Sequence, residues 1–302
     1  MKVDVISMQG SKVRKVDLPA QFSEAVRLDL IKRAVLSIQS HNRQPYGTFP
    51  QAGIRQVAKL SRRRRQFKTA YGHGISRVPR KALWNRGRQF GWVGAFAPGT
   101  VKGRKANPPK AEKIWKQKIN VQERRKAIRS ALAATMQQNL IKQRGHLFKE
   151  LTPVVDAQAE SLAKTREVQA FLEKMGLQAE LSRVAERRIR AGRGKMRNRP
   201  YKQRKGPLFV VSGDCKLLKS ARNIPGIDVC EVKKLNAELL APGCIPGRLT
   251  LFTEQALDVL QKEQLFMNVK KEKAIKEEKK KPEAVKSVAK PVVKKAVKKG
   301  EQ

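Results

Sequence analysis

From Leu30 through Ala111 this 302-residue sequence contains no aspartate or glutamate. Spread evenly, its 25 acids would fall about one every 12 residues, so an 82-residue gap points to a partner that is itself a polyanion. Cysteine is nearly as scarce. Cys215, Cys230 and Cys244 lie 15 and 14 residues apart with no C-x-x-C pair. That odd count excludes a fully paired disulfide framework and fits a reducing compartment. His41, His73 and His146 are scattered singly, which gives none of the clustered spacings of a metal site, so no metal is expected. No run approaches the ~18 apolar residues of a membrane span. The opening "MKVDVISMQG" also lacks a signal peptide's apolar core. A soluble, non-secreted protein without a membrane partner is the expectation.

Catalytic constellations are missing as well. No paired carboxylates, Ser–His–Asp set or Cys–His set can be assembled at a recognisable spacing. "GRGK" (192–195) is not a phosphate loop: position 189 is Ile where that motif needs Gly, and Met196 follows Lys195 where it needs Ser or Thr. The sequence predicts neither an enzyme nor a bound cofactor.

What the chain has is positive charge: 68 Lys+Arg against 25 Asp+Glu, a formal +43. A compact body so charged self-repels unless a polyanion is near, which makes nucleic acid the leading partner. With 40% hydrophobic residues the chain can still build a core.

Hydrophobic patterning divides the sequence. "VDVIS" and "VRKVDLP" alternate as strands and stop at Pro19. Ser23 is placed to cap a helix with Val26, Leu30, Ile31, Ala34, Val35 and Ile38 on one face. Periodicity then vanishes until Asn120, where a capping box with Glu123 opens the helix "VQERRKAIRSALAATMQQNLI". Thr165 begins another helix, which Gly176 ends, and "AELSRVAERRIRAG" reads as a third, reaching Gly192. The runs "LFVVS" (208–212), "IDVCEV" (227–232) and "RLTLF" (248–252) alternate with helical segments, the last capped by Thr253. This order predicts an α/β fold, a mostly parallel sheet with helices on its faces, interrupted by a long extended basic loop. Residues 1–40 and 120–267 form the expected globular domain, 41–119 the inserted loop, and 268–302 a disordered Lys-rich tail.

Two basic segments carry the candidate binding residues. Within 41–120 lie 20 Lys/Arg, one Glu and nine of the chain's 16 aromatic residues. Rings and guanidinium planes stack on unpaired bases while charges meet phosphates, so this interleaving points to structured RNA. Its candidate phosphate contacts are Arg62, Arg63, Arg64, Arg65, Lys68, Arg77, Arg80, Lys81, Arg86, Arg88, Lys102, Arg104, Lys105 and Lys110. Trp84, Phe90, Trp92 and Phe96, in and beside "NRGRQFGWVGAFAPG" (85–99), are the candidate stacking rings. The second segment, 187–206, holds ten cations and no acid: Arg187, Arg188, Arg190, Arg193, Lys195, Arg197, Arg199, Lys202, Arg204 and Lys205. It reads as a clamp on the phosphate backbone.

Four stretches resemble one family. "GHGISRVPR" (72–80) with "GAFAPGTVKGRKANPPK" (94–110), "RSALAATMQ" (129–137), "RIRAGRGKMRNRPYKQRKGP" (188–207) and the segment 221–257 are similar to the ribosomal protein L-four family, the universal fourth protein of the large subunit, in its archaeal and eukaryotic form. The resemblance implies a globular α/β domain on the subunit's outer surface. It also implies a loop threaded through rRNA toward the peptide exit tunnel, its tip near residues 85–99, beside neighbouring ribosomal proteins and the nascent peptide. Two other readings compete: a chromatin or DNA-binding protein using the same charge, and an RNA-modifying enzyme. The first leaves Trp84, Trp92 and Phe96 among glycines unexplained, because duplex phosphates need no rings. The second wants a glycine-rich turn after the first strand, where "SMQGSK" offers one Gly.

Overall fold

Alternation in the short apolar strands sends neighbouring side chains to opposite sides of one sheet, and each side meets its own helices. The structure is a computed structural model that describes residues 1–66 and 68–268; Met1–Phe266 form one unit. Ten strands are described: β1 (Lys2–Ile6), β2 (Lys12–Asp17), β3 (Arg80–Arg86), β4 (Gln89–Gly94), β5 (Val154–Val155), β6 (Arg187–Ile189), β7 (Tyr201–Gln203), β8 (Leu208–Val211), β9 (Asp228–Glu231) and β10 (Thr250–Thr253). The helices are α1 (Leu28–His41), α2 (Val121–Ala134), α3 (Gln138–Gln143), α4 (Thr165–Lys174), α5 (Gln178–Ala185), α6 (Lys216–Ser220), α7 (Ala237–Leu240) and α8 (Glu254–Lys262).

Six strands form the main sheet in the order β2-β1-β5-β10-β8-β9. Only the β1–β2 pair is antiparallel; β1–β5, β5–β10, β10–β8 and β8–β9 are parallel. Val154, Leu208, Val210 and Phe252 face one core with Ile31 and Val35 of α1, Ile128 and Leu132 of α2, and Leu257 and Leu260 of α8. Val155, Phe209, Val211 and Leu251 face a second core with Ile141 of α3, Phe171 and Leu172 of α4, and Leu217 of α6. This is the expected α/β sheet with helices on both faces. β5 is the strand that periodicity did not announce, because two residues are too short to show a period.

Thr253 caps α8, its hydroxyl accepting from the Ala256 N–H, and Gly176 follows α4 at φ 77°. Ser23 does not cap α1: it ends a short 3₁₀ turn, and Arg27 occupies the cap position. Tertiary contacts override its propensity there. Phe22 packs edge-on against Phe252 at 5.3 Å, and buried Gln21 donates to the Leu260 carbonyl. Asn120 does precede α2, but without a side-chain cap bond, and Glu123 pairs instead with Arg33 at 3.2 Å. The predicted 21-residue helix breaks after Ala134, where Thr135 turns its hydroxyl onto the Leu132 carbonyl, and α3 follows separately. The helix expected to reach Gly192 stops at Ala185. Its continuation would set Arg187 beside Arg183 and Arg190 beside Arg187 as like-charge neighbours, whereas Arg187 and Arg188 enter strand β6 and Arg190 follows it. The Lys-rich tail lies, from residue 269, outside the described residues.

Candidate nucleic-acid interface

The long basic segment leaves the sheet domain after α1 and returns before α2, and both ends are tied at one point. Ser37 donates to the Gln117 carbonyl (2.7 Å), and Ser40 accepts from the Gln117 N–H (2.9 Å). Further out, Tyr46 stacks on Trp115 at 5.6 Å, the Arg43 guanidinium lies 3.7 Å from the Trp115 ring centre, and the Thr48 N–H donates to the Pro109 carbonyl. Gly53, at φ 81°, lets the outgoing leg touch the returning backbone of Gly103 and Arg104, where any side chain would collide.

Beyond these ties the segment is not irregular, as its lack of periodicity suggested. Residues 80–94 form an antiparallel hairpin, β3–β4, turning at Gly87 and Arg88. A register shift between Ala82 and Trp84 breaks the alternation, and that is why a period of two is hard to see. Phe90 and Trp92 meet edge to face at 5.2 Å. Trp84 lies across Gly91, the strand position opposite, where a Cβ would strike the indole. It remains 53% exposed, a flat ring displayed on bare backbone. Phe96 sits past β4 in a turn at φ 65°, its carbonyl accepting from the Arg104 N–H.

The candidate cations of this segment are distributed along it rather than gathered. Arg62–Arg65 form an exposed turn, held by Thr69 donating to the Arg63 carbonyl at 2.6 Å. Arg77, Arg86, Arg88, Lys102, Arg104, Lys105 and Lys110 are exposed, while Lys68, Arg80 and Lys81 are half-buried. Some serve the protein's own rings or side chains. Arg80 lies 5.0 Å from the Trp92 ring centre, Lys68 5.2 Å from Phe90 and Arg77 4.8 Å from Tyr71, and Lys81 donates to Gln56. The three ring contacts hold Trp92, Phe90 and Tyr71 in place by cation–π attraction, and none of the four contacts compensates the charge with an acid.

The second basic segment stands on a rigid base. β6 and β7 pair antiparallel, and the turn between them carries Arg193, Lys195, Arg197 and Arg199, all exposed. Arg190 is half-buried and bridges the strands, donating to the carbonyls of Arg199 (3.1 Å) and Tyr201 (3.3 Å). Arg187, Arg188 and Lys202 are exposed, and Glu186 draws Arg188 (3.6 Å) and half-buried Arg204 (3.2 Å) toward the stem. Two arginines hold the stem's returning strand. Arg183 donates to the Lys205 carbonyl (3.0 Å), and fully buried Arg248 donates to the Gly206 carbonyl (2.9 Å) and to Asp228 (2.6 Å). Lys205 itself pairs with Asp228 at 3.0 Å. Sequence reasoning missed this clamp; the available signal was a charged residue leading the apolar run "RLTLF".

Arg183 is in turn fixed by Glu180, whose carboxylate is buried and also accepts from His146 (2.6 Å) and the Leu147 N–H (2.9 Å). Burial pushes the Glu180 carboxyl up, but the bonds from Arg183, His146 and Leu147 outweigh it and hold the pKa at about 2. Unfolded, a glutamate titrates near ~4.3, so this stabilisation is complete above that pH and is lost as pH falls toward 2. Glu180→Gln is expected to cost about 3–5 kcal/mol near neutral pH, because it strands Arg183 and His146. It should also flatten the acid limb of stability between ~4.3 and 2. Urea unfolding across a pH series checks both, and an unchanged acid limb would contradict the assignment.

With this geometry, a sheet domain, a tied acid-free excursion and a clamped basic hairpin, the sequence matches the model of the "Ribosomal protein L4/L1 family" over residues 16–263. The chain belongs to that family. Among its relatives, "Large ribosomal subunit protein uL4" of Nanoarchaeum equitans is 52% identical over 267 residues, 88% of this chain and all of the relative. The proteins of the same name from Archaeoglobus fulgidus and Methanocaldococcus jannaschii are 45% and 43% identical, each covering 86% of this chain and 98% of the relative. Within this L4/L1 member the matched span includes both basic segments and, of the main sheet, the end of β2 from Val16 and all of β5, β8, β9 and β10.

Proposed function

We propose that this chain is a structural constituent of the large ribosomal subunit, in the cytoplasm, where it binds large-subunit rRNA, supports subunit assembly and contacts neighbouring ribosomal proteins. The observation that carries the reading is a near full-length match to archaeal large-subunit proteins in a chain with an 82-residue acid-free stretch. Residues 1–40 and 120–267 are the anchor, 41–119 the RNA-threading loop and 268–302 a basic tail. In this reading the exposed cations of both segments meet phosphates. Trp84, Phe90, Trp92 and Phe96 stack against unpaired bases at the loop tip. The tip lines part of the peptide exit tunnel and faces the nascent peptide.

A tagged copy of the chain tests the core claim: it is expected to sediment with the large subunit in sucrose gradients, and sedimentation only as free protein overturns the reading. The tunnel placement has its own test. Deleting residues 84–96 is expected to leave incorporation nearly normal, because it removes only Arg86 and Arg88 of the cations and leaves the β6–β7 clamp and the sheet domain in place. The same deletion should redistribute ribosome stalling on particular nascent chains, read by ribosome profiling. An unchanged stalling pattern at full occupancy would remove the tip from the tunnel.

A further inference from the structure

The β6–β7 hairpin carries an apolar pair that its role as a charged clamp does not use. Ile189 lies directly opposite Tyr201, flanked in register by Arg188 opposite Lys202. Side chains alternate across a strand, so Ile189 and Tyr201 stand together on one face and Arg188 and Lys202 on the other. Both apolar residues are open to solvent, 73% and 56% exposed. No core lies behind a two-stranded ribbon, and among the described residues none covers them.

Tyr201 also differs from the rings of the long loop. There Tyr46 stacks on Trp115, Phe49 lies near Arg55, Tyr71 near Arg77 and Trp92 near Arg80. Among the described residues the Tyr201 ring has neither an aromatic nor a cationic partner, although ten cations surround it in sequence. The obvious donor, Arg190, spends its guanidinium on the Arg199 and Tyr201 carbonyls.

Charge complementarity selects the occupant. Residues 187–206 contain no acid, so the covering surface is anionic, and it must also present something flat and apolar. An unpaired stretch of RNA offers both at short spacing, whereas duplex phosphates alone would leave the ring bare. Building on the rRNA-binding reading above, we propose that Ile189 and Tyr201 form a base platform. An unpaired RNA base stacks on the Tyr201 ring and packs against Ile189, while Arg187, two residues from Ile189 and on the same face of the ribbon, engages an adjoining phosphate.

The test measures binding of the full chain to in vitro transcribed large-subunit rRNA at several salt concentrations, for wild type, Tyr201→Phe, Tyr201→Leu and Tyr201→Ala. Tyr201 is exposed, so these variants keep the fold, which circular dichroism and thermal unfolding verify. Phe is expected to bind within about twofold of wild type. Ala and Leu are expected to lose roughly 5- to 150-fold, the alanine-substitution range for one stacked base. The slope of log affinity against log salt should not change, because no phosphate contact is removed. Ultraviolet irradiation of the wild-type complex should crosslink Tyr201 to a base. Full affinity of the Leu variant would mean that bulk rather than stacking matters, as for a protein partner, and would overturn the proposal. Full affinity of the Ala variant, or an altered salt slope, would overturn it too. If wild type itself fails to bind the transcript, the rRNA-binding reading fails first and the platform falls with it.

Discussion

The affinity of the full chain for large-subunit rRNA is expected to fall about 10³–10⁵-fold between 50 and 200 mM salt, the range for 6–10 phosphate contacts on the duplex scale and somewhat less for single strands. The expectation follows from where the charge sits. Arg62–Arg65, Arg86, Arg88, Lys102, Arg104 and Lys105 are exposed, and their stretch of chain contains no acid to neutralise them. Acids are instead consumed in the globular part, in pairs such as Arg14–Glu254, Arg129–Glu24 and Lys233–Glu263. Cations left unpaired in the free protein release counterions from RNA on binding, which is the origin of the slope. The stacking rings add a component that salt leaves unchanged. Filter binding over a salt series measures both. A nearly flat response would show that the net charge of +43 is incidental to recognition.

Reversing the charge of the hairpin turn is expected to have the second large effect: Arg193→Glu, Lys195→Glu, Arg197→Glu and Arg199→Glu together should abolish incorporation into large subunits. All four side chains are exposed, so the fold is not the target. The turn is also pre-organised. Arg190 ties its two strands, and Arg183 and Arg248 hold the stem at Lys205 and Gly206. Little ordering entropy therefore opposes binding here, whereas each loop residue that must be ordered costs about 1–2 kcal/mol. Affinity should thus reside in the hairpin and the adjoining domain, and placement in the loop tip. Occupancy of each variant in gradient-purified subunits decides. A Glu variant that incorporates normally, beside a tip deletion that does not, would reverse these roles.

Much of the fold was legible because its central strands are buried on both sides. "LFVVS" and "RLTLF" are apolar-rich runs that became β8 and β10, buried at every position as parallel strands covered on two faces are, whereas "IDVCEV", with Asp228 and Glu231, became the half-buried edge strand β9. The exposed cations and the displayed Trp84 were legible for a different reason: an acid-free stretch rich in rings has no core to enter. Less visible were the elements that depend on partners distant in sequence. β5 exists because β1 and β10 flank its two residues. Ser23 lost its cap to the packing of Phe22 on Phe252, 230 residues away. Strand β6 hid at the end of a helical pattern and β7 in the basic run after it, since Ile189 and Tyr201 show a common face only once the strands are paired.

The sequence alone determined the class of fold and the class of partner, because both depend on additive properties: hydrophobic period and net charge accumulate residue by residue. Only the tertiary structure decided how the charge is held. Buried Arg248 reaching the Gly206 carbonyl and Asp228, Arg183 reaching the Lys205 carbonyl, and Ser37 and Ser40 closing on Gln117 join residues 20 to 80 positions apart. A hydrogen bond depends on distance and angle between two particular groups, and no sum over composition contains that information.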